Sequence, residues 1–437
     1  MRHAWLAGLA LCPATHAPAQ PPPPTAPAHV IASDTEVAAQ GLPIRSSAQL
    51  KAYLRAHAGQ RTPLDALTPG ARERFLDGLV FGRNGLGGFD TQDLPQLTRA
   101  QGRSLLALFG VERYAETLPH WATQPRASAP AARIGDLERR YNRYNRALHG
   151  LGRTGRDPWP ALRSALPEAF DRSATAPLDD AALELLYRAL VATYALRPNP
   201  TGLEAQLQVL AQLRRRGHAS AAQVDAAGHA LLLAHRVEDA RRLLADGGSA
   251  DWPHWLRFED RLGESAQGPT LWSLDADGRT LHRQRIDLGP TQLLVTAGCH
   301  FAADAARAIA ADPELGPAFR RHALWLTLPP GSEDLDALRA WNQAQPQTPL
   351  HLLYDVEEWS LLPREWRMPT FLLVREWRMP TFLLVRDGKV VAQLQGWPVD
   401  DAAQRSALKA MLQGAGLLSP APGGSATAGF TGHAGRG

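Results

Sequence analysis

Apolar residues recur at helical spacing over the first half of the chain, and the spacing shortens to that of strands in the last third. Arg72 to Phe81 carries apolar side chains at 75, 76, 79 and 80, which is one helical face. Thr68-Pro69 before it pairs an N-cap residue with proline at the first helical position, and Thr62-Pro63 repeats the device. Gln92 to Phe109 reads as a further helix with Leu105, Leu106, Leu108 and Phe109 toward its buried side. The glycine-rich stretch 82–89 between the two reads as a flexible turn. Ile134 to Leu148 is amphipathic. Ala181 to Leu196, Gly202 to Arg216, Ala219 to Ala234 and Val237 to Asp246 follow with short connections, the pattern of stacked helical pairs.

Near Gly268 the pattern changes. Thr270 to Leu274 and Arg279 to Ile286 flank Asp275-Ala276-Asp277-Gly278, a hairpin signal. Thr291 to Thr296 is a buried strand, followed by a helix from Ala302 to Ala311, a strand from His322 to Leu328, a helix from Leu335 to Gln345 and a strand from Leu350 to Tyr354. Thr381 to Val385 and Val390 to Leu394 meet at the Asp387-Gly388 turn, and Asp400 to Leu412 is a last helix. The order implies a sheet of parallel and antiparallel strands with helices packed on it. The fold class expected is multidomain: mostly α-helical N-terminal and middle regions, then an α/β domain.

Segmentation follows from composition. Met1-Arg2-His3, the short apolar core Ala4 to Leu11 and Ala17-Pro18-Ala19 form a secretory signal peptide over 1–19, which points to a periplasmic or secreted protein. Residues 20–32 are a Pro-rich linker, 33–122 a helical region, 123–132 a second linker, 133–250 the helical hairpins, 269–418 the α/β domain and 419–437 a disordered tail. No segment reaches the length of a membrane span. Lys and Arg number 47 against 43 Asp and Glu, a net charge of +4 without a basic run, which gives no nucleic-acid surface. Cys12 follows Leu11, where a lipobox wants a small residue. Removal of the signal leaves a single cysteine, Cys299, and hence no intramolecular disulfide.

Several chemistries lack their residues. Gly82 to Phe89 ends without the Lys-Ser/Thr of a P-loop and has Asp90 where a dinucleotide loop wants glycine. His229 and His235 are six apart, off the ligand spacing of one helix face, and read as surface or cap histidines. Asp275 to Gly278 lacks the glutamate that closes a calcium loop, with Gln284 in its place. There is no nucleophile elbow. Neither a metal nor a cofactor is implied. The 12 tryptophans, Trp252, Trp255, Trp272 and Trp325 among them, read as packing groups.

The element order, a cysteine between the first core strand and its helix, and Met379-Pro380-Thr381-Phe382 with Asp387-Gly388-Lys389-Val390-Val391 together resemble the thioredoxin fold. With the leading Asp-Gly hairpin, residues 269–418 are similar to the exported thioredoxin-like proteins of the TlpA and ResA type. The resemblance implies a cis proline at Pro380, lying against Cys299, with His300 beside them in a thiol site. Family oxidoreductases carry Cys-x-x-Cys, and this chain has Cys299-His300-Phe301-Ala302. Half of the dithiol machinery is missing. The favoured expectation is a protein-interaction or structural module among other envelope proteins. Its rival is a monothiol disulfide oxidoreductase or isomerase acting through Cys299. A third reading is peroxidatic, from Thr296-Ala297-Gly298-Cys299, although Gln292 stands where peroxiredoxins have proline. Ala227 to Leu244 resembles a tetratricopeptide-like hairpin, without a 34-residue period.

Residues 364–374 recur unchanged as 375–385. Only one copy can fill the single strand position, and the second, contiguous with the Asp387-Gly388 turn, is expected there.

Overall fold

The computed structural model describes residues 43–82, 85–118, 121–124, 134–249, 256–263, 266–298, 300–363, 379–398 and 400–418. The signal peptide, the Pro-rich linker, the tail, Trp252, Trp255, Cys299 and the first copy of the duplication lie outside them, as does most of the second linker. The chain divides into two compact units. One holds 43–230 and 247–249 of the described residues, the other 231–246 and everything from 256 onward.

In chain order the elements are α1 (Ser47–Ala56), α2 (Pro69–Asp77), β1 (Val80–Gly82), β2 (Gly85–Gly88), α3 (Arg99–Ala107), α4 (Asp136–Thr154), α5 (Trp159–Ala165), α6 (Arg172–Thr175), α7 (Asp180–Leu196), α8 (Pro200–Arg215), α9 (Ala221–Leu233) and α10 (Val237–Ala245). There follow β3 (Arg257–Glu259), β4 (Thr270–Leu274), β5 (Thr280–Arg285), β6 (Thr291–Thr296), α11 (His300–Ala311), α12 (Leu315–His322), β7 (Ala323–Thr327), α13 (Leu335–Ala344), β8 (Leu350–Leu353), β9 (Thr381–Arg386), β10 (Lys389–Gln395) and α14 (Ala402–Gly414).

The first unit is mostly helical. Thr68 caps α2 as its Oγ1 accepts from the Ala71 N–H, and Asn199 caps α8 through the Gly202 N–H. Thr62-Pro63 opens only a single 3₁₀ turn, Pro63–Ala66, although Thr62 and Asp65 complete a capping box. Two expectations are corrected. Within the 82–89 stretch, Gly85–Gly88 pairs back on Val80–Gly82 as an antiparallel ribbon, with Phe81 opposite Leu86 and Gly82 opposite Gly85. Gly85 takes a φ of 115°, and strands this short show no alternation to read. The Gln92 to Phe109 helix is also shorter than its pattern, because Pro95 sits in a 3₁₀ turn at Leu94–Gln96 and Thr98 caps a new start at Arg99.

At the centre of this unit lies a buried ion network. Arg74 of α2 donates through Nε and Nη2 to both oxygens of Asp93, at 2.8 and 2.9 Å, and Arg188 of α7 adds a third bond at 2.8 Å. Arg74 Nη1 reaches Glu138 and Asn142 of α4 at 2.8 and 3.0 Å. Burial alone would raise the Asp93 pKa, but the two guanidiniums outweigh it and hold the carboxyl below its ordinary value.

The second unit is built on an eight-stranded sheet in the order β10-β9-β6-β7-β8-β4-β5-β3. β6, β7 and β8 run parallel, β9 is antiparallel to β6, and β4 is antiparallel to β8. Successive residues of β6 face opposite sides. Leu293 and Val295 join Trp325, Phe319, Phe382 and Leu408 in one core, while Leu294 joins Leu326, Leu383, Leu353 and Trp359 in the other. A strand buried on both faces reads as a continuous apolar run, which is how β6 and β9 look in the sequence. Trp272 and Trp325 pack in the core as expected, 3% and 1% exposed. The hairpin over 275–278 forms, with Asp275 Oδ1 accepting the backbone N–H groups of Arg279 and Thr280.

The second copy of the duplication fills the strand: Thr381 to Arg386 is β9, paired on one side with β6 and on the other with β10. Deletion of 364–374 is expected to leave the circular dichroism and the melting midpoint unchanged. A collapse of the sheet signal would show that the first copy is required.

Of the two histidines expected as surface or cap groups, His235 is exposed and closes α9, as expected, and His229 is half-buried. Burial lowers the pKa of both. His235 ends α9 in the left-handed conformation, φ 58°, with the Arg236 N–H closing onto the Leu231 carbonyl. Its ring stacks on Tyr354 at 3.8 Å and 2°, and the guanidinium carbon of Arg283 lies 3.3 Å from the Tyr354 centroid. Arg283 is itself bonded to Thr270, Asp260 and Glu358.

Candidate functional site

The parallel strands set where chemistry can gather, because loops leaving their carboxyl ends converge on one rim of the sheet. β6 ends at Thr296, and Ala297-Gly298 leads to α11. Gly298 has a φ of 152° and little room for a side chain. A Cβ there would stand 3.2 Å from Thr327 Oγ1, 3.4 Å from Glu333 Oε1 and 3.4 Å from Met379 Cε. Three separate segments therefore close on the residue before Cys299: the end of β7, the loop into α13, and the entrance to β9.

The Met379–Pro380 peptide bond is cis, as the resemblance implied, and Pro380 is buried at the head of β9. Thr381 pairs with Thr296 across the β6–β9 ladder. Thr296 Oγ1 is buried without a hydrogen-bond partner among the described residues, which is uncommon for a hydroxyl at such depth, whereas the Thr327 hydroxyl acts on the Glu333 carboxyl, opposing part of its rise in pKa. Glu333 is half-buried as a residue, and burial of its carboxyl pushes the pKa up to about 7, with Asp334 adding to the rise. An acid poised there exchanges protons at neutral pH, the property a general base for a thiol needs.

Of the residues expected in a thiol site, the structure brings Pro380 to this rim. Cys299 lies outside the described residues, following Gly298 directly in the chain, and His300 opens α11 with its side chain outside them too. Ala302 is fully buried and packs in the core. Glu333 and Thr327 escaped the sequence reading. Glu333 sits in Pro329-Pro330-Gly331-Ser332-Glu333-Asp334, which reads as an ordinary helix start, and Asp334 does cap α13 through the N–H groups of Asp336 and Ala337. Only the fold shows that the neighbouring carboxyl turns in toward Gly298.

Among the described residues no group of three or more His, Cys, Asp or Glu is arranged to hold a metal ion, and no helix is long and apolar enough to cross a membrane. No protein-family model, curated protein or solved structure matches the chain.

Proposed function

We propose that the second unit is a thioredoxin-like domain of an exported, multidomain protein, and that its chemistry is that of a single thiol at Cys299. The observation that carries this reading is the convergence of Glu333, Thr327 and the cis Met379–Pro380 segment on Gly298, within 3.2–3.4 Å of where its Cβ would be. The parallel β6-β7-β8 core continued by the antiparallel β9–β10 hairpin supports the fold. A cysteine preceding a helix N-terminus gains thiolate character from the dipole, and Glu333, beside Gly298, would take its proton. The thiolate attacks a disulfide of an envelope partner or small thiol, forms a mixed disulfide and expels the other sulfur as a thiolate. Two electrons stay within the sulfur pool, and release requires a second external thiol because Ala302 cannot resolve the bond.

Alkylation of Cys299 across pH, in a Cys12→Ser chain, tests this. The rate is expected to titrate below the roughly 8.5 of free cysteine, and Glu333→Gln is expected to remove a step near pH 7. A profile near 8.5 that ignores Glu333→Gln, or complete protection from reagent, would overturn the thiol reading.

A second reading, an interaction module, is favoured by a different observation. β10 is an outer strand of the sheet, and Val390 and Val391 on it are 39% and 53% exposed. Such an edge accepts a partner strand. Val391→Lys would weaken capture of that partner and leave Cys299 alkylation unaltered.

A further inference from the structure

Glu333 stands on a loop and has a long, freely rotating side chain, so its own backbone does not aim the carboxyl. Two consecutive groups at the end of β7 do. The backbone N–H of Leu328 and the hydroxyl of Thr327 both act on that carboxyl, and each favours its charged form against the burial that opposes it. The loop returns to the strand it left through a turn in which the Ser332 N–H donates to the Pro329 carbonyl at 2.9 Å.

Thr327 does not move with that loop. It lies in a strand paired on one side with β6 and on the other with β8, where Leu352 is its partner, and it is 1% exposed. A β-branched side chain in such a place has few χ1 choices, which makes its hydroxyl a fixed point. The same strand end brings the backbone before Cys299 alongside. The Ala297 N–H donates to the Leu326 carbonyl at 2.8 Å, which carries the β6–β7 contact one residue past Thr296 and sets Gly298 next to Thr327. Thr327 Oγ1 and Glu333 Oε1 accordingly lie 3.2 and 3.4 Å from one point, the place a Gly298 Cβ would take.

We propose that Thr327 is the positioning residue of this site, its hydroxyl holding the Glu333 carboxyl beside Gly298 so that the base stays within reach of the thiol at position 299. The role rests on the thiol reading of Cys299. When the Cys299 S–H passes its proton to the carboxylate, a thiolate and a neutral carboxylic acid form, and Thr327 neither gains nor loses a proton. A hydroxyl both donates and accepts, so it donates to the carboxylate before the transfer and accepts from the acid after it. Asp334, the N-cap of α13, acts on the same carboxyl in the opposite sense, since its charge disfavours ionisation of its neighbour.

Alkylation of Cys299 by iodoacetamide across pH, in the full Cys12→Ser chain, is the test. Thr327→Val keeps the branched shape and loses the hydroxyl. It is expected to move the step near pH 7 upward by about 0.5–1 unit, the effect of one lost hydrogen bond to the charged form. Thr327→Ser keeps the hydroxyl and is expected to restore the wild-type position. In a Glu333→Gln chain, which has no step to move, Thr327→Val is expected to leave the profile as it is. Thr327→Ala should give the same upward shift, and takes the place of the valine variant if circular dichroism shows that one unfolded. A profile near that of free cysteine that ignores Glu333→Gln overturns the thiol reading, and the role of Thr327 with it. Three results would overturn the role of Thr327 alone: a step that Glu333→Gln removes but Thr327→Val and Thr327→Ala leave in place, a Thr327→Ser chain that behaves like Thr327→Val, or an equal change from Thr327→Val in the Glu333→Gln chain.

Discussion

Asp93→Ala is expected to destabilise the first unit by about 3–5 kcal/mol, the usual cost of leaving a buried charge without its partner. The carboxylate holds one buried and one half-buried guanidinium at once, and its removal strands Arg74, only 6% exposed, with Glu138 as its remaining anion. In urea the midpoint followed by far-UV circular dichroism should fall by about 1 M or more. Asp93→Asn, which can keep hydrogen bonds but not charge, should lose a comparable amount. Replacing the closest pair together, with Arg74→Met and Asp93→Leu, should recover part of the loss, since the most buried guanidinium leaves with its partner while Arg188 keeps Glu184. A midpoint unchanged in Asp93→Ala would show that the network is solvated. Because the Asp93 pKa lies below its ordinary value, this contribution is present above the unfolded carboxylate pKa and is lost as pH falls through the folded one.

The second large effect is a pair of opposed pH slopes in the second unit. Glu333 is raised from 4.5 to about 7 in the fold, so its contribution to stability is full below pH 4.5 and disappears as pH rises toward 7. His351, whose imidazole Nδ1 lies 3.0 Å from Ser273 Oγ, is lowered by burial from 6.5 to about 4. Its neutral form carries no penalty above pH 6.5, and stability is lost as pH falls from there to 4. Each swing is at most about 3 kcal/mol. Between pH 4.5 and 6.5 they oppose one another, and the wild-type melting curve should be nearly flat on their account. Glu333→Gln should then melt about 5–10 °C above wild type at pH 8 and alongside it at pH 4. His351→Asn should do the reverse, gaining on wild type only toward acid pH. Parallel pH profiles for all three proteins would show that neither group is buried in the sense its surroundings suggest.

Elements were legible where one physical signal dominated. α7 and α8 carry long helical periodicity with Asp179 and Asn199 as caps, and β6 and β9 are apolar runs buried on both faces. Missed elements were short or built on tertiary support. The β1–β2 ribbon has strands too brief to alternate, and α12 follows α11 across only Asp312-Pro313-Glu314, where Asp312 turns the chain by accepting the N–H groups of Glu314 and Leu315. β3 is three residues that pair parallel to β5. At the candidate site, Pro380 was legible because the resemblance of Met379-Pro380-Thr381-Phe382 to the thioredoxin fold implies a cis proline there. Glu333 was not, because a carboxyl pKa depends on what the fold stacks above it. The histidines fall on the same line: spacing excluded a shared metal, but it could not show that His235 would stack on Tyr354.

The duplicated segment gives the sheet a degenerate slot. β9 is hydrogen-bonded on both flanks, and Thr370 to Val374 offers β6 and both cores the same side chains as Thr381 to Val385. No side-chain preference can separate the two occupancies. What separates them is chain connectivity: the second copy keeps the tight Asp387-Gly388 return to β10, whereas the first would open that return by a further 11 residues while shortening the loop from Leu353. Loop-closure entropy makes the difference on the order of 1 kcal/mol. The strand is thus chosen by the length of its loops.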